Sequence, residues 1–418
     1  MVETKKVPKL QFDSTKDDDS NCKKLRFSDF NSEWKTYKLK DIGKINTGNT
    51  PSTKISEYYY PEKYLWVTPT DITTKYIKNT ERKLSEKGAE KGRFVKKNSV
   101  LVTCIASIGK NCIILEDGYF NQQINSITPL TNFDLNFIYY LMEHNSEKMK
   151  RYAGITATPI LNKKSFENME FKLPLLDEQK KIGAIISSVD QKIELIIRKL
   201  NQTIKFKQFL LQQLFANKSS ESNELHKLRF DFHEEVEKFN LGEISEIKKG
   251  FTPSTSNPSF WDGDINWVAI SDMSQGKYIS STKKKITSKG AKNKKIIKKG
   301  TLLMSFKLTI GKLGILTEDM YTNEAICNFN WLNDDISTEY MYYYLNSINI
   351  KKYGSQAAKG ITLNNDTLNK IPVLIPSIEE QEKITNFLSS VDQKIDLINQ
   401  QLDQTTKFKQ FLLQHLFV

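Results

Sequence analysis

Two stretches of the chain, one near its middle and one at its C-terminus, space hydrophobic residues at alternating intervals of three and four positions. This spacing is typical of a helix whose apolar stripe packs against another helix. Neither 184–215 nor 377–418 contains Gly or Pro, so the pattern predicts helices over 177–215 and 377–418. Ser377 and Glu380 predict a capping box at the second start. The predicted helix–helix seam comprises Ile182, Ile186, Val189, Ile193, Ile196, Leu200, Ile384, Leu388, Val391, Ile395, Ile398 and Leu402.

The sequence before each of these stretches has a different pattern, with short hydrophobic runs separated by polar loops. Two longer segments, 135–152 and 338–353, have the spacing of short helices. The runs that predict strands are 64–72, 99–108, 111–117, 265–273, 301–310 and 313–319. Strands and helices mixed in this way predict α/β modules.

The whole pattern occurs twice. The heptapeptide SSVDQKI stands at 187–193 and again at 389–395, and residues 171–215 align without a gap to 373–417, with 27 of the 45 positions identical. The match continues upstream more weakly, in G-x-T-P-S-T, in KGA, in S/T-I-G-K and in single Trp, Asp and Asn residues. The chain is therefore two copies of one unit of about 200 residues, with similar tails and divergent heads.

Two like units that share an interface usually relate by a two-fold axis, which would make the two helices antiparallel. The predicted fold class is α+β, with two similar α/β domains separated by a pair of long antiparallel coiled-coil helices in a pseudo-two-fold arrangement. The alternative left open is two separate helices, each packed on its own domain. The predicted divisions are a tail at 1–23, a first domain at 24–173, a central helix at 174–217, a second domain at 218–375 and a C-terminal helix at 376–418.

The formal net charge of the chain is +13, and only six of the 62 basic residues are Arg. An excess of this size favours a polyanionic partner, nucleic acid first and an anionic membrane surface second. Lys anchors phosphates, while Thr, Ser, Asn and Gln in loops read base edges. The candidate DNA-binding residues are Thr50, Ser52, Thr53, Lys54, Lys110, Asn121, Gln122, Gln123, Asn162, Lys163, Thr252, Ser254, Thr255, Lys292, Lys294, Lys312, Asn323, Lys359 and Asn364.

Motifs for chemistry are missing from the sequence. It contains no phosphate-binding loop, no dinucleotide-binding glycine turn and no Asn/Asp-Pro-Pro-aromatic stretch. The four His have no metal-ligand spacing and the four Cys form no C-x-x-C pair, so we expect neither a catalytic nor a metal site. No signal-peptide pattern or apolar run of membrane-spanning length occurs, which predicts a cytoplasmic location.

The paired tails, with their P-x-x-x-E-Q and SSVDQKI motifs, and the paired G-x-T-P-S-T and S/T-I-G-K stretches make the sequence resemble a specificity subunit of a type I restriction–modification system. The resemblance implies that the two heads are target recognition domains, each binding one half of a bipartite double-stranded DNA site. It implies that the helices set the spacer between the half-sites and dock two methylation subunits.

The resemblance also implies that the chain is not a catalyst and holds no cofactor. S-adenosylmethionine, ATP and Mg²⁺ would belong to the partner methylation and restriction subunits, and no membrane would be involved. Two alternatives remain open from the residues alone. One is a nonspecific architectural DNA-binding coiled-coil protein, and the other is a self-contained nuclease or methyltransferase with an unrecognised active site.

Overall fold

The computed structural model describes residues 10–12, 25–154, 158–215, 230, 236–307, 309–357 and 360–417. The chain divides into two compact units. Unit 1 comprises Met1–Ile197 and Gln400–Val418, and unit 2 comprises Arg198–Asn399. Each unit contains one head, the first half of one long helix and the last part of the other. Head 1 denotes residues 25–173 and head 2 residues 236–375.

Head 1 contains two mixed sheets that divide its core. The larger sheet has five strands, and only its last pair is parallel. In spatial order these strands are Gly43–Thr47, Ile124–Pro129, Ser99–Thr103, Asn111–Ile114 and Tyr76–Ile77. The smaller sheet has the order Lys83–Leu84, Tyr64–Val67, Gly118–Phe120 and Phe94–Val95. A two-stranded antiparallel pair, Lys35–Lys38 with Glu170–Leu173, joins the beginning of the head to its end.

Head 2 repeats this topology with one strand fewer in its smaller sheet. The larger sheet has the order Ser245–Lys249, Ile326–Trp331, Leu302–Ser305, Leu313–Leu316 and Tyr278–Ile279. The smaller sheet has the order Lys284–Ile286, Trp261–Val268 and Tyr321–Thr322. The pairs Glu237–Asn240 with Pro372–Ile375 and Ser355–Ala357 with Gly360–Thr362 are antiparallel. The predicted strands are present in both heads, and most are shorter than the hydrophobic runs because their ends turn into loops.

The helices of the heads are short, and Leu135–His144 and Thr338–Ser347 pack on the larger sheets. In head 1 they are Leu39–Ile42, Glu86–Lys91, Leu135–His144, Ser146–Ala153 and Lys163–Glu167, with a 3₁₀ turn at Ser56–Tyr58. In head 2 they are Leu241–Ile244, Thr338–Ser347 and Asn365–Asn369, with 3₁₀ turns at Pro258–Phe260, Asp272–Ser274 and Ile350–Tyr353. The segment 135–152, predicted as one helix, is two helices that meet at Asn145.

Both long helices form as predicted, over Leu176–Phe215 for the central helix and Ile378–Leu416 for the C-terminal helix. Their apolar stripes are less simple than a helix–helix seam. Ile182, Ile186 and Val189 lie in one buried cluster with the core of head 1 and with the end of the C-terminal helix. Eight of the predicted seam residues are buried, while Ile193, Leu200, Ile395 and Leu402 are half-buried. The stripe therefore packs on a head as well as on a helix.

In unit 1 the two helical segments run in opposite directions. Lys409 contacts Asp190, and eight residues later the Phe417 ring lies 5.0 Å from that of Phe137. Phe137 in turn adjoins Gly183, where a Cβ would lie 3.1 Å from its backbone nitrogen. Later positions of the C-terminal helix therefore lie beside earlier positions of the central helix, so the two segments are antiparallel.

The two helical segments of unit 2 are also antiparallel. Lys207 contacts Asp392, and Phe215 packs edge-on against Tyr340 at 5.5 Å. The helix carrying Tyr340 begins at Ser337, whose backbone N–H donates to Gln381 near the start of the C-terminal helix. The antiparallel direction predicted from the repeat is confirmed in each unit.

Leu10–Phe12, within the predicted tail at 1–23, forms a strand antiparallel to Leu25–Phe27. One expectation at a helix start is wrong. The capping box at Ser377 does not form, since its hydroxyl is buried without a hydrogen-bond partner among the described residues. Gln381 performs the anchoring there instead, as described below.

Candidate nucleic-acid interface

The G-x-T-P-S-T loop of head 1 is held by residues that the second copy repeats. A Cβ at Gly48 would lie 2.2 Å from the carbonyl oxygen of Asn121, so only glycine permits this close approach. The Asn121 amide donates to the Thr50 hydroxyl at 3.2 Å, and Thr50 donates to Gln122. The Trp66 indole donates to the backbone of Asn49.

Head 2 builds the same loop from the equivalent residues. A Cβ at Gly250 would lie 2.2 Å from the carbonyl oxygen of Thr322, and the Asn323 amide donates to Thr252 at 3.0 Å. The Trp267 indole donates to the Phe251 carbonyl oxygen at 2.9 Å. The repeated Gly, Thr, Trp and Asn thus shape the loop, and the loop side chains left exposed are Ser52, Thr53, Lys54, Ser254 and Thr255.

The S/T-I-G-K turns place their two lysines differently. Gly109 and Gly311 adopt φ values of +92° and +87°, which favour glycine. Lys110 is exposed, whereas Lys312 is half-buried and its Nζ donates to the Ser274 hydroxyl at 2.8 Å. A contact between either lysine and phosphate stays a prediction.

Asn162 and Asn364, predicted to contact DNA, are helix caps. The Asn162 side-chain oxygen accepts from the Ser165 backbone N–H, and that of Asn364 accepts from Thr367, both at 2.8 Å. Capping by itself accounts for their recurrence in both copies. Their contact with DNA stays a prediction, as does that of the exposed Gln122, Lys163 and Lys292 and of the half-buried Gln123. Lys359 lies outside the described residues.

Lys294 belongs to a basic groove in head 2. The groove has a volume of about 340 Å³ and is bordered by strand Ser245–Lys249 and by residues 294–298. Its lysines are Lys248, Lys249, Lys294, Lys295 and Lys298. Of the candidate residues that the structure describes, only Lys294 lines this groove.

The P-x-x-x-E-Q motif ties each long helix to its head. In unit 1 the buried Glu178 accepts two hydrogen bonds of 2.9 Å from Arg26, a bidentate and charge-assisted pair. Gln179 accepts from the Asp134 backbone N–H and donates to the Pro174 carbonyl oxygen. Because Asp134 caps the helix Leu135–His144, this glutamine couples the starts of two helices.

Gln381 repeats the arrangement of Gln179 in unit 2. It accepts from the backbone N–H of the helix cap Ser337 at 2.9 Å, and it donates to the carbonyl oxygens of Asp335 and Pro376. Glu380 beside it is buried as Glu178 is. The motif is therefore conserved between the copies for the attachment of helix to head.

The heptapeptide SSVDQKI supplies a polar cluster that the sequence did not predict. In unit 1 Asp190 accepts from the Tyr140 hydroxyl at 2.5 Å and pairs with Lys409 at 2.9 Å. Lys75 Nζ donates to Tyr140 at 2.9 Å and to Ser187 at 2.8 Å. We call these five residues the unit 1 clasp, because they join the head to both helical segments.

The unit 2 clasp consists of Lys277, Tyr343, Ser389, Asp392 and Lys207. Asp392 accepts from Tyr343 at 2.7 Å and pairs with Lys207 at 2.5 Å, while Lys277 donates to Ser389 at 3.2 Å. The signal in the sequence was a lysine in the apolar stripe of each helix, Lys207 and Lys409, within an identical KFKQF segment. These lysines interrupt the stripe because their partner is a carboxylate.

Burial lowers the pKa values of Lys75, Lys277 and Lys409, and neighbouring carboxylates raise them. Burial lowers the pKa of Lys75 to about 8, against the opposing effect of Asp190. Burial also lowers the pKa of Lys277, which Glu339 partly offsets. For Lys409, burial acts downward but the carboxylates of Glu143 and Asp190 outweigh it, so its pKa lies above the ordinary lysine value.

A line of exposed apolar side chains runs along one face of each long helix. Leu195, Phe206 and Phe209 on the central helix are separated by 11 and three positions, which places them within roughly 60° of one another. Leu397, Phe408 and Phe411 repeat this line on the C-terminal helix. All six are between 37% and 64% exposed. Exposed apolar residues aligned on one face are typical of a surface for a partner protein.

Neither a metal centre nor a membrane span emerges from the part of the chain that the structure describes. No three His, Cys, Asp or Glu side chains there come together in an arrangement suited to a metal ion. None of the helices there is both long enough and apolar enough to cross a bilayer.

Comparison with known proteins adds independent information. Residues 31–205 and 233–407 each match the type I restriction modification DNA specificity domain. The type I restriction enzyme MjaVIII specificity subunit of Methanocaldococcus jannaschii is 23% identical over 420 residues, covering 95% of both chains. The MjaIX specificity subunit of the same organism is 28% identical over 265 residues, 60% of both chains. The crystal structure of the S subunit from M. genitalium has the same fold, with a TM-score of 0.57, 16% identity and coverage of 93% of this chain and 97% of its own.

Proposed function

The chain belongs to the type I restriction–modification DNA specificity family, and from this premise we propose that each head binds one half of a bipartite site in double-stranded DNA. Its two matched domains and its relatives make it a specificity subunit, and the comparisons do not support the nonspecific architectural alternative. The observation that carries the proposal is the pattern of divergence between the copies. The tails at 171–215 and 373–417 share 27 of 45 positions, whereas the heads match only in short motifs, several of which shape their loops.

Mapping of methylated adenines by long-read sequencing, in cells with and without this chain, tests the proposal. We expect a bipartite motif that depends on the chain. Replacing residues 24–160 by another head should change one half of the motif and leave the other intact. A change in both halves would contradict independent reading by the two heads.

The two apolar helix lines support a second element of the proposal, that the chain docks two methylation subunits. A surface that occurs twice, with the same three residues at the same spacing, suits two copies of one partner. Aromatic side chains dominate binding energy at such interfaces. The chain itself takes no catalytic role in this proposal, and S-adenosylmethionine, ATP and Mg²⁺ belong to the partners in the cytoplasm.

Phe206→Asp with Phe209→Asp should remove one methylation subunit, because each substitution places a charge in a desolvated interface. Adding Phe408→Asp with Phe411→Asp should remove the second. Native mass spectrometry of the assembled complex would report the two steps. Gln208→Asp with Gln410→Asp is the matched control, since these exposed residues lie on a different face of the same helices. Equal loss in the control would contradict docking on the apolar lines.

The long helices also suit a role as a spacer between half-sites. Inserting four residues into each helix lengthens it by about 6 Å at ~1.5 Å per residue. We expect the preferred spacer in the methylation map to grow by roughly two base pairs, at ~3.4 Å per pair, with both half-sites unchanged. An unchanged spacer would show that the helices do not set it.

A further inference from the structure

The basic groove of head 2 carries more positive charge than its surroundings neutralise. Lys248 pairs with Glu246 at 2.6 Å and Lys298 pairs with Asp319 at 2.7 Å. Lys249, Lys294 and Lys295 have no carboxylate within ion-pair distance among the described residues. Three ammonium groups without a counter-charge along one groove attract an anion strongly, because low-dielectric walls focus the field.

The wall of the groove is built from aromatic and polar groups. Lys294 Nζ lies 5.4 Å from the centre of the Phe251 ring, and its backbone carbonyl oxygen accepts from the Tyr321 hydroxyl at 3.1 Å. Phe251 and Tyr321 pack edge to face at 5.5 Å. Thr322, which also lines the groove, has a buried hydroxyl without a hydrogen-bond partner among the described residues. Phe251 and Tyr321 therefore position Lys294 in the groove.

Head 1 provides an internal comparison at the same positions. In the repeat Lys248 and Lys249 correspond to Asn46 and Thr47, and Lys294 and Lys295 correspond to Gly92 and Arg93. Thr322 corresponds to Phe120, whose side chain is fully buried in an apolar cluster of head 1. The fifth groove lysine, Lys298, corresponds to Lys96, so five lysines in head 2 correspond to one arginine and one lysine in head 1.

We propose that the groove of head 2 binds the sugar–phosphate backbone of duplex DNA next to the half-site that this head reads, and that head 1 lacks the equivalent contact. The proposal rests on the proposed function and goes beyond it, because it divides the affinity unequally between the heads. Lysine contacts phosphate as a point charge, and several lysines along one groove suit a run of phosphates better than one small anion. Head 2 then supplies the larger share of the salt-dependent affinity.

The test is Lys294→Ala with Lys295→Ala in the chain assembled with its methylation subunits, using a duplex that contains the mapped site. Each lost phosphate contact lowers the slope of log affinity against log salt by about 0.9, so the slope should fall by nearly two units. Affinity at 0.1 M salt should fall roughly tenfold or more, evenly for the specific and a random duplex. The ratio of the two affinities should be unchanged.

Two variants control for charge and for position. Lys238→Ala with Lys370→Ala removes the same charge from exposed residues of head 2 outside the groove, and should leave the slope nearly unchanged. Arg93→Ala in head 1 should lower the slope by one unit at most. Intact assembly with the methylation subunits confirms that each variant is folded.

The outcomes separate this inference from the proposed function. A site preference in the unmodified complex together with an unchanged slope in the lysine variant overturns the groove and leaves the function standing. Loss of preference at one base pair, without a change of slope, also overturns it by assigning the lysines to base reading. A wild-type complex that does not distinguish the site from random duplex refutes the proposed function itself.

Discussion

The two clasps consist of equivalent residues and differ in the position of a second, neighbouring carboxylate. In unit 1 it is Glu143, whose carboxylate lies 2.8 Å from Lys409 on the long helix. In unit 2 it is Glu339, which lies 3.3 Å from Lys277 in the head. The helix positions equivalent to Glu143 and Glu339 hold Asn346 and Asn136 respectively. The second carboxylate has therefore moved by two helical turns between the copies.

This difference shows what the repeat conserves. Counted together with this second carboxylate, each clasp has two lysines and two carboxylates, so the charge balance is the same in both units although the second acid pairs with a different lysine. Asp190 and Asp392 contact the partner helix lysine in both units and come from the identical heptapeptide. The heads have diverged, while the aspartate–lysine pair between the helices is the same in both units.

Substitution of the central aspartate of each clasp should have the largest effect on local stability. Asp190→Ala leaves the half-buried Lys75 without its main counter-charge, whereas Lys409 keeps Glu143. We expect this to cost about 3 kcal/mol of local stability. Asp392→Ala should cost less, because Lys277 keeps Glu339 and Lys207, the lysine that loses its partner, is 24% exposed. Hydrogen exchange of the peptides covering 176–197 and 378–399 would measure both losses.

The control for this prediction is Asp177→Ala, at an exposed acid of the central helix whose partner Lys180 lies 3.9 Å away. Exposed pairs of this kind contribute little, so exchange should hardly change. Equal losses for Asp190→Ala and Asp392→Ala would indicate that the position of the second carboxylate is irrelevant to stability.

The pH dependence of Lys75 gives a second, smaller test. Its pKa in the folded chain, about 8, lies below the ordinary lysine value, so protonation of Lys75 opposes folding. This penalty is fully present below pH 8 and disappears as the pH rises from about 8 to about 10.5. Lys409, with its raised pKa, contributes stability below about pH 10.5 that is lost above it.

Amine labelling at a series of pH values, read by mass spectrometry, would follow these lysines individually. Lys75 should become reactive near pH 8, well before Lys409. Asn136→Glu, which places in unit 1 the carboxylate that Glu339 supplies in unit 2, should shift the Lys75 profile upward by about one pH unit. A profile that does not move would mean that this helix position does not face the lysine.

The smallest effects concern the caps. Asn162→Ala and Asn364→Ala should each cost about 1 kcal/mol, because a helix N-terminus loses its side-chain acceptor. Asn162→Asp and Asn364→Asp keep the acceptor and should restore stability in thermal unfolding of the complex. Weakened DNA binding by the Asp variants at full stability would reveal a direct DNA contact, since the carboxylate repels phosphate.

Sequence reasoning succeeded where a property is local or repeated. The long helices follow from a stripe with a mean spacing of 3.5 residues and no interruption, and the strands follow from short hydrophobic runs. The duplication is visible without a structure, and the motifs it preserves were sufficient to recognise the family. The net charge also predicted a polyanionic partner, because charge can be counted without knowing which residues are in contact.

Only the tertiary structure decided which residues meet. Asp190 and Lys409 lie 219 positions apart, so nothing local reveals that the lysine in one apolar stripe completes a cluster around the other helix. The basic groove likewise joins Lys249 to Lys294 across 45 positions. Asn162 and Asn364 look the same in sequence whether they cap a helix or read a base, and only the fold shows the cap. Local pattern determines elements, whereas the pairing of distant charges depends on how those elements pack.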